Sequence, residues 1–200
     1  MSFLKRKLRQ FKEYDDIAEI SEIARRYFVM NAFDGILTMI GVLTGSYVAR
    51  VENASVVIST GLATSVAMGI SGLWGAYFTE AAERKRDLND LENHTLTDLS
   101  GTRIGRASRV AGVIVAVVDG LAPFLSALVV LLPFFFSTFL GDIYLSYYLS
   151  LGIALLSLFS LGALLGMVSR ENIVLWGLRM LVAGLLSIVL GYLLGGLEGG

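Results

Sequence analysis

Apolar and polar positions along this chain are segregated into blocks. Five apolar stretches, near residues 27–49, 55–78, 110–137, 144–169 and 173–196, are separated by mostly short polar segments. Each reaches the roughly 20 residues that a helix needs to cross a bilayer. The pattern predicts an all-α membrane protein with five transmembrane helices in one compact bundle. Ahead of the first block, residues 3–24 (FLKRKLRQFKEYDDIAEISEIA) set Leu4, Leu8, Phe11, Ile17, Ile20 and Ala24 near helical spacing, with Lys and Arg concentrated at the start. That arrangement predicts an amphipathic helix on the cytoplasmic membrane surface; a helix capping the bundle or packing on a partner fits the same spacing. The expected organisation is an amphipathic segment over 1–26, spans 1 and 2 over 27–79, a polar helical extension over 80–109 and spans 3 to 5 over 110–200.

Composition strengthens the membrane reading. Of 200 residues, 55% are hydrophobic, and the mean hydropathy is +0.70, well above an ordinary soluble domain. Basic residues supply an orientation, because Lys and Arg near helix ends stay on the cytoplasmic side. Lys5, Arg6, Lys7, Arg9, Lys12, Arg25 and Arg26 precede the first span; Arg84, Lys85, Arg86, Arg103, Arg106 and Arg109 follow the second; Arg170 follows the fourth; Arg50 alone falls in a loop on the other side. The N-terminus is therefore expected in the cytoplasm and the C-terminus outside. The first 26 residues are charged and hold no short apolar run with a small-residue cleavage site, so no secretory signal is expected. The compact chain, with no targeting extension, suggests a prokaryotic plasma membrane. Without cysteine, disulfides, thiolate ligands and thiol nucleophiles are excluded together. No nucleophile with an adjacent base stands out, and one histidine in a polar segment does not supply one; neither an enzyme nor a nucleic-acid binder is expected.

Small residues mark contact faces. Gly61, Ser65, Gly72, Gly75 and Thr79 recur at helical intervals on the second span, interrupted by Met68, and Gly177, Gly184 and Gly191 recur every seven residues on the fifth. Such stripes let helices approach closely. The third span carries Pro123 and Pro133, which remove backbone bonds and tend to kink a helix.

Three charged residues lie inside spans: Asp34, Asp119 and Arg179. At a rise of about 1.5 Å per residue they sit at matching depths, about 10–14 Å from the cytoplasmic ends. Intramembrane carboxylates are costly unless paired or handling an ion, so they read first as functional. Arg179 could neutralise one aspartate and leave the other for a cation or proton; alternatively it bridges both as a structural lock. Asp34, Thr38, Gly41 and Gly45 share one face of the first span by spacing, as a pore-lining face or a tight packing face would.

Beyond the second span, Glu80, Glu83, Asp87, Asp90 and His94 fall at intervals of three and four, which lines four carboxylates and the single histidine along one helix face. Oxygen ligands with one imidazole suit Fe(II) or Mn(II), making this a candidate metal-capture surface that needs ligands from a second helix or subunit. A solvated helix with i, i+4 pairs such as Glu80–Arg84 is the alternative.

At this point the chain resembles the vacuolar iron transporter family. The resemblance lies in FDGILTMIGVLTG (33–45), in ISGLWGAYFTE (70–80) and in LRMLVAGLLSIVLGYLLG (178–195), and, with the five spans, basic N-terminus and acidic extension, it covers nearly the whole chain. It implies a homodimer whose first spans line a pathway at the subunit interface, and proton-coupled export of Fe(II), and sometimes Mn(II), from the cytoplasm; the metal is cargo and no cofactor is implied. Asp34 matches the essential first-span aspartate, and Glu80, Glu83, Asp87 and Asp90 resemble the start of the cytoplasmic metal-binding region. Two departures stand out: Gly72 and Ala76 occupy the places of a methionine and a glutamate in the second-span motif, and the loop is much shorter than in plant relatives. Met68, one turn before Gly72, is a candidate replacement thioether and Asp119 a candidate replacement carboxylate. A second function class also fits, a membrane-embedded metal sensor or scaffold that has kept the fold and lost transport.

Overall fold

The computed structural model describes residues 12–197, and the regular structure among them is helical throughout. A short helix, α1, runs through residues 12–18. It is followed by α2 (Ile20–Val48), α3 (Ala54–Thr95), α4 (Arg103–Phe135), α5 (Ser137–Leu140), α6 (Ile143–Val168) and α7 (Ile173–Leu197). Five helical stretches are long and apolar enough to cross a membrane: α2, α3, α4 with α5, α6 and α7. They coincide with the five apolar blocks of the sequence.

Local chemistry explains where these helices start and stop. The side chains of Asn53, Asp142 and Asn172 accept hydrogen bonds from backbone N–H groups two residues on, at 2.9, 2.8 and 3.0 Å, satisfying donors that the first helical turn leaves open. At the other ends the chain turns through left-handed residues: Glu19 (φ 51°) after α1, Arg50 (φ 53°) after α2, Leu96 (φ 52°) after α3 and Arg170 (φ 56°) after α6. A left-handed residue is the common way to close a helix, although a non-glycine there costs about 1–2 kcal/mol. In the connection after α3, the Ser100 hydroxyl and backbone N–H hold the Asp98 carboxyl below the usual carboxylate range.

The chain divides into two compact units. One combines the residues up to Met30 with Gly69–Leu121, and the other combines Asn31–Met68 with Ala122 onward.

In the first unit, Tyr14 and Ile20 are buried with Ala107 and Ala111 of α4, and Glu13 pairs with Arg103. The described part of the N-terminal segment therefore packs on a neighbouring helix, and the helix is broken at Glu19; residues 3–11, with Leu4, Leu8 and Phe11, lie outside the described residues. The first-span helix begins at Ile20, ahead of the boundary at Tyr27 that hydropathy suggests. α3 is one helix of 42 residues, about 63 Å long at a rise of about 1.5 Å per residue. A hydrocarbon core of about 30 Å cannot contain it, so its polar second half extends beyond the lipid.

The second unit holds the larger apolar core. Ile36, Met39, Ile40 and Leu43 of α2 are buried with Leu131 and Phe134 of α4 and Tyr147 and Leu158 of α6. The glycines of α7 act as contact points: an added Cβ at Gly177 would lie 2.5 Å from the Phe159 ring, at Gly184 2.5 Å from Leu158, and at Gly191 2.6 Å from Thr44. The seven-residue spacing is thus a packing stripe, as read from the sequence. At one end of this unit Tyr47 meets the rings of Tyr144, Tyr147, Tyr148 and Tyr192, with centroids 5.5–6.0 Å away, an aromatic cluster of the kind that sits at membrane–water interfaces.

Candidate metal-transport site

Asp34 stands on α2 with its side chain exposed on the surface of the chain, and Thr38, one turn on, is half-buried. The opposite face of the same turns is the core face, where Ile36, Met39 and Ile40 are almost fully buried. Gly41 and Gly45 continue the Asp34 face, and a Cβ added at either would meet nothing within 4 Å. The face that spacing singled out is therefore open within one chain. Gly35, next to Asp34, is different: a Cβ there would lie 2.6 Å from the Pro123 carbonyl oxygen and 2.4 Å from Ser126 Oγ, so the Asp-Gly pair lets α2 lie directly on α4 while the carboxylate points elsewhere.

Met68 is half-buried on α3, and Arg179 is exposed on α7. The Arg179 guanidinium lies 5.2 Å from the Trp176 ring centroid, a cation–π contact within its own helix. Among the described residues it makes no ion pair with Asp34, whereas Arg84–Glu80, Arg86–Asp90 and Arg103–Glu13 do pair.

Asp119 belongs to the first unit and is buried on α4, 6% exposed. It faces Gly72 of α3. A Cβ at position 72 would stand 3.0 Å from Asp119 Oδ2 and 3.0 Å from its carbonyl oxygen. Pro123, four residues later, has no N–H to offer that carbonyl. One residue on, Gly120 is equally close to α3, where a Cβ would lie 2.6 Å from the Gly69 carbonyl oxygen. Glycines on both helices bring the backbones together here, and the aspartate occupies the space that a side chain at 72 would take. Ala76, the other departure, is also buried.

The acidic face of α3 separates into two parts. Glu80 is buried, at 5% exposure, and both of its oxygens are engaged: Oε1 accepts from the Tyr27 hydroxyl at 3.1 Å and Oε2 from Arg84 Nε at 2.9 Å. The i, i+4 pair with Arg84 follows from helix periodicity, but no sequence signal points to Tyr27, 53 positions away. Glu83, Asp87, Asp90 and His94 are exposed along the helix. His94 Nδ1 lies 2.7 Å from the Asp90 carbonyl oxygen; a carbonyl only accepts, so Nδ1 is the donor and Nε2 is the ring nitrogen left for a ligand bond in the neutral imidazole. Among the described residues, no three His, Asp or Glu side chains converge on one point within the chain.

The VIT family model matches residues 91–196. An uncharacterized protein of Methanocaldococcus jannaschii is 31% identical over 172 residues, 84% of this chain and 86% of that protein. The chain belongs to the VIT family. It is an integral multi-pass membrane protein of a metal-ion transport family, as its five apolar helices and this membership together establish. The family-model match covers the third to fifth spans of this VIT-family chain, whereas Asp34 and the stretch Ser71–Tyr77 lie ahead of it. The resemblance in those earlier motifs therefore rests on the residues themselves.

Proposed function

We propose that this VIT-family protein exports divalent metal, Fe(II) or Mn(II), from the cytoplasm in exchange for protons, and that two copies pair across the first span. Asp34 is the observation that carries the reading. A carboxylate at lipid depth, exposed on its own chain and continued by two glycines with nothing within 4 Å, would be untenable against hydrocarbon; a second copy laid on that face would bring two carboxylates and two Thr38 hydroxyls to one axis. Asp34 is then the carrier of ion and proton, with Met68 of the same unit as an auxiliary ligand. Gly72 gives Asp119 its place, which supports the idea that Asp119 supplies a carboxylate where the second-span motif lacks one.

Capture of the ion falls to Glu83, Asp87, Asp90 and His94, whose exposure and tautomer suit open coordination completed from a second copy. Glu80, with both oxygens already engaged, serves to anchor α3 to α2 and stays outside the ligand set.

Purified protein in proteoliposomes, assayed with Fe(II), Mn(II), Co(II), Zn(II) and Ca(II) with and without a pH gradient, tests the proposal. Uptake of Fe(II) or Mn(II) that rises with the gradient is expected, and gradient-independent or absent movement of every ion would overturn it. The buried Ala76 favours a second reading, a sensor or scaffold, because its own side chain offers no ligand atom. Calorimetric binding of Fe(II) or Mn(II) without any vesicle transport would select a sensor, and no binding at all a scaffold.

A further inference from the structure

A cavity of about 450 Å³ lies between α3 and α4, wholly inside the first unit. Its wall has two chemistries. Tyr77 and Val113, from the ends of the second and third apolar blocks, form an apolar side, and Arg84, Lys85 and Arg109, with the Ser108 hydroxyl, form a cationic side one to two turns further from the lipid. No carboxylate lines it. Arg84 is partly neutralised by Glu80 through its Nε, and Asp87 faces the adjoining smaller cavity of about 160 Å³. Arg109 Nη2 donates to the carbonyl of Ser100, another lining residue, at 3.3 Å, which fixes the guanidinium without cancelling its charge. Lys85 has no ion pair among the described residues. Two cations without an ion pair among the described residues and a hydroxyl thus line the same cavity as an apolar wall.

We infer that this cavity binds the phosphate of an anionic glycerophospholipid in the leaflet from which α3 emerges, with Lys85, Arg109 and Ser108 on the phosphate and an acyl chain along Tyr77 and Val113. Guanidinium and ammonium groups are the side chains that recognise phosphate, basic pockets at helix ends recognise lipid head groups, and the volume falls in the range of small-molecule sites. The apolar half of the wall distinguishes a lipid from a soluble anion, which has nothing to place there. The proposal is independent of what the protein transports.

Native mass spectrometry of the full chain, released from micelles doped with phosphatidylglycerol or phosphatidylcholine, tests it. At least a fivefold greater retention of phosphatidylglycerol is expected. The preference should disappear in Lys85→Gln/Arg109→Gln and equally in Ser108→Phe, which fills the cavity without changing charge, and should persist in the control Lys12→Gln/Arg170→Gln. Equal retention of the two lipids, or the same loss in the control, would overturn the site. Retention unchanged in Ser108→Phe would reduce it to general surface charge, and displacement by millimolar inorganic phosphate would assign it to a soluble anion; either result rejects the lipid.

Discussion

Gly72 of α3 and Asp119 of α4 occupy one space: a Cβ on the glycine would stand 3.0 Å from the carboxylate Oδ2. The two positions are therefore coupled, and the identity of one limits the other. A longer side chain at 72 cannot coexist with the carboxylate as it now lies.

Gly72→Met, which restores the motif residue, is expected to destabilise the protein by about 1–3 kcal/mol, the usual cost of overpacking. Gly72→Met/Asp119→Ala should recover at least half of that loss, because removing the carboxylate opens the space. Thermal unfolding of the detergent-solubilised variants measures both. A single variant as stable as wild type would show that the helices do not approach as described.

Asp34→Asn should leave folding intact, because the side chain is exposed within its chain and the substitution keeps its size. Metal uptake into proteoliposomes is expected to fall at least tenfold, since an amide neither carries a proton nor neutralises a divalent ion. Transport equal to wild type would remove Asp34 from the pathway.

The acidic face of α3 should respond in two opposite ways. Glu80→Gln is expected to cost about 1–3 kcal/mol of stability, as a buried hydrogen-bonded group is mismatched with Arg84 and Tyr27, and to leave Mn(II) affinity unchanged. Asp87→Asn/Asp90→Asn should change stability by no more than about 0.5 kcal/mol per site, as exposed substitutions do, and weaken Mn(II) binding several-fold. Differential scanning calorimetry and isothermal titration separate the two, and a reversed pattern would return Glu80 to the ligand set.

Gly41 is the position that reports on pairing between copies. An added Cβ there meets nothing within 4 Å inside the chain, so Gly41→Leu should fold and melt as a single chain does. If the Asp34 face meets a second copy, the bulky side chain should shift the protein from dimer to monomer in light scattering of the solubilised sample. A Gly41→Leu protein that stays dimeric would place the interface elsewhere.

Much of this protein is legible along the chain. Five spans follow from five apolar blocks because crossing a bilayer depends on the length and polarity of a contiguous segment, and every backbone group must be satisfied within it. The Glu80–Arg84 pair and the Gly177–Gly184–Gly191 stripe follow from helical periodicity, and the cost of a carboxylate in lipid singles out Asp34 without any structure. Other features depend on which helices are neighbours, and periodicity carries no information about that. Tyr27 and Arg84 together withdraw Glu80 from the acidic face; Gly72 yields its space to Asp119; Arg179 lies over the Trp176 ring; and Gly61 and Gly75, on one stripe, differ in that the first presses on Leu131 while the second meets nothing within 4 Å. Local free energies decide that a segment is helical and how far it runs. Only the tertiary packing of those helices decides which carboxylates are held by neighbours and which are left open to an ion.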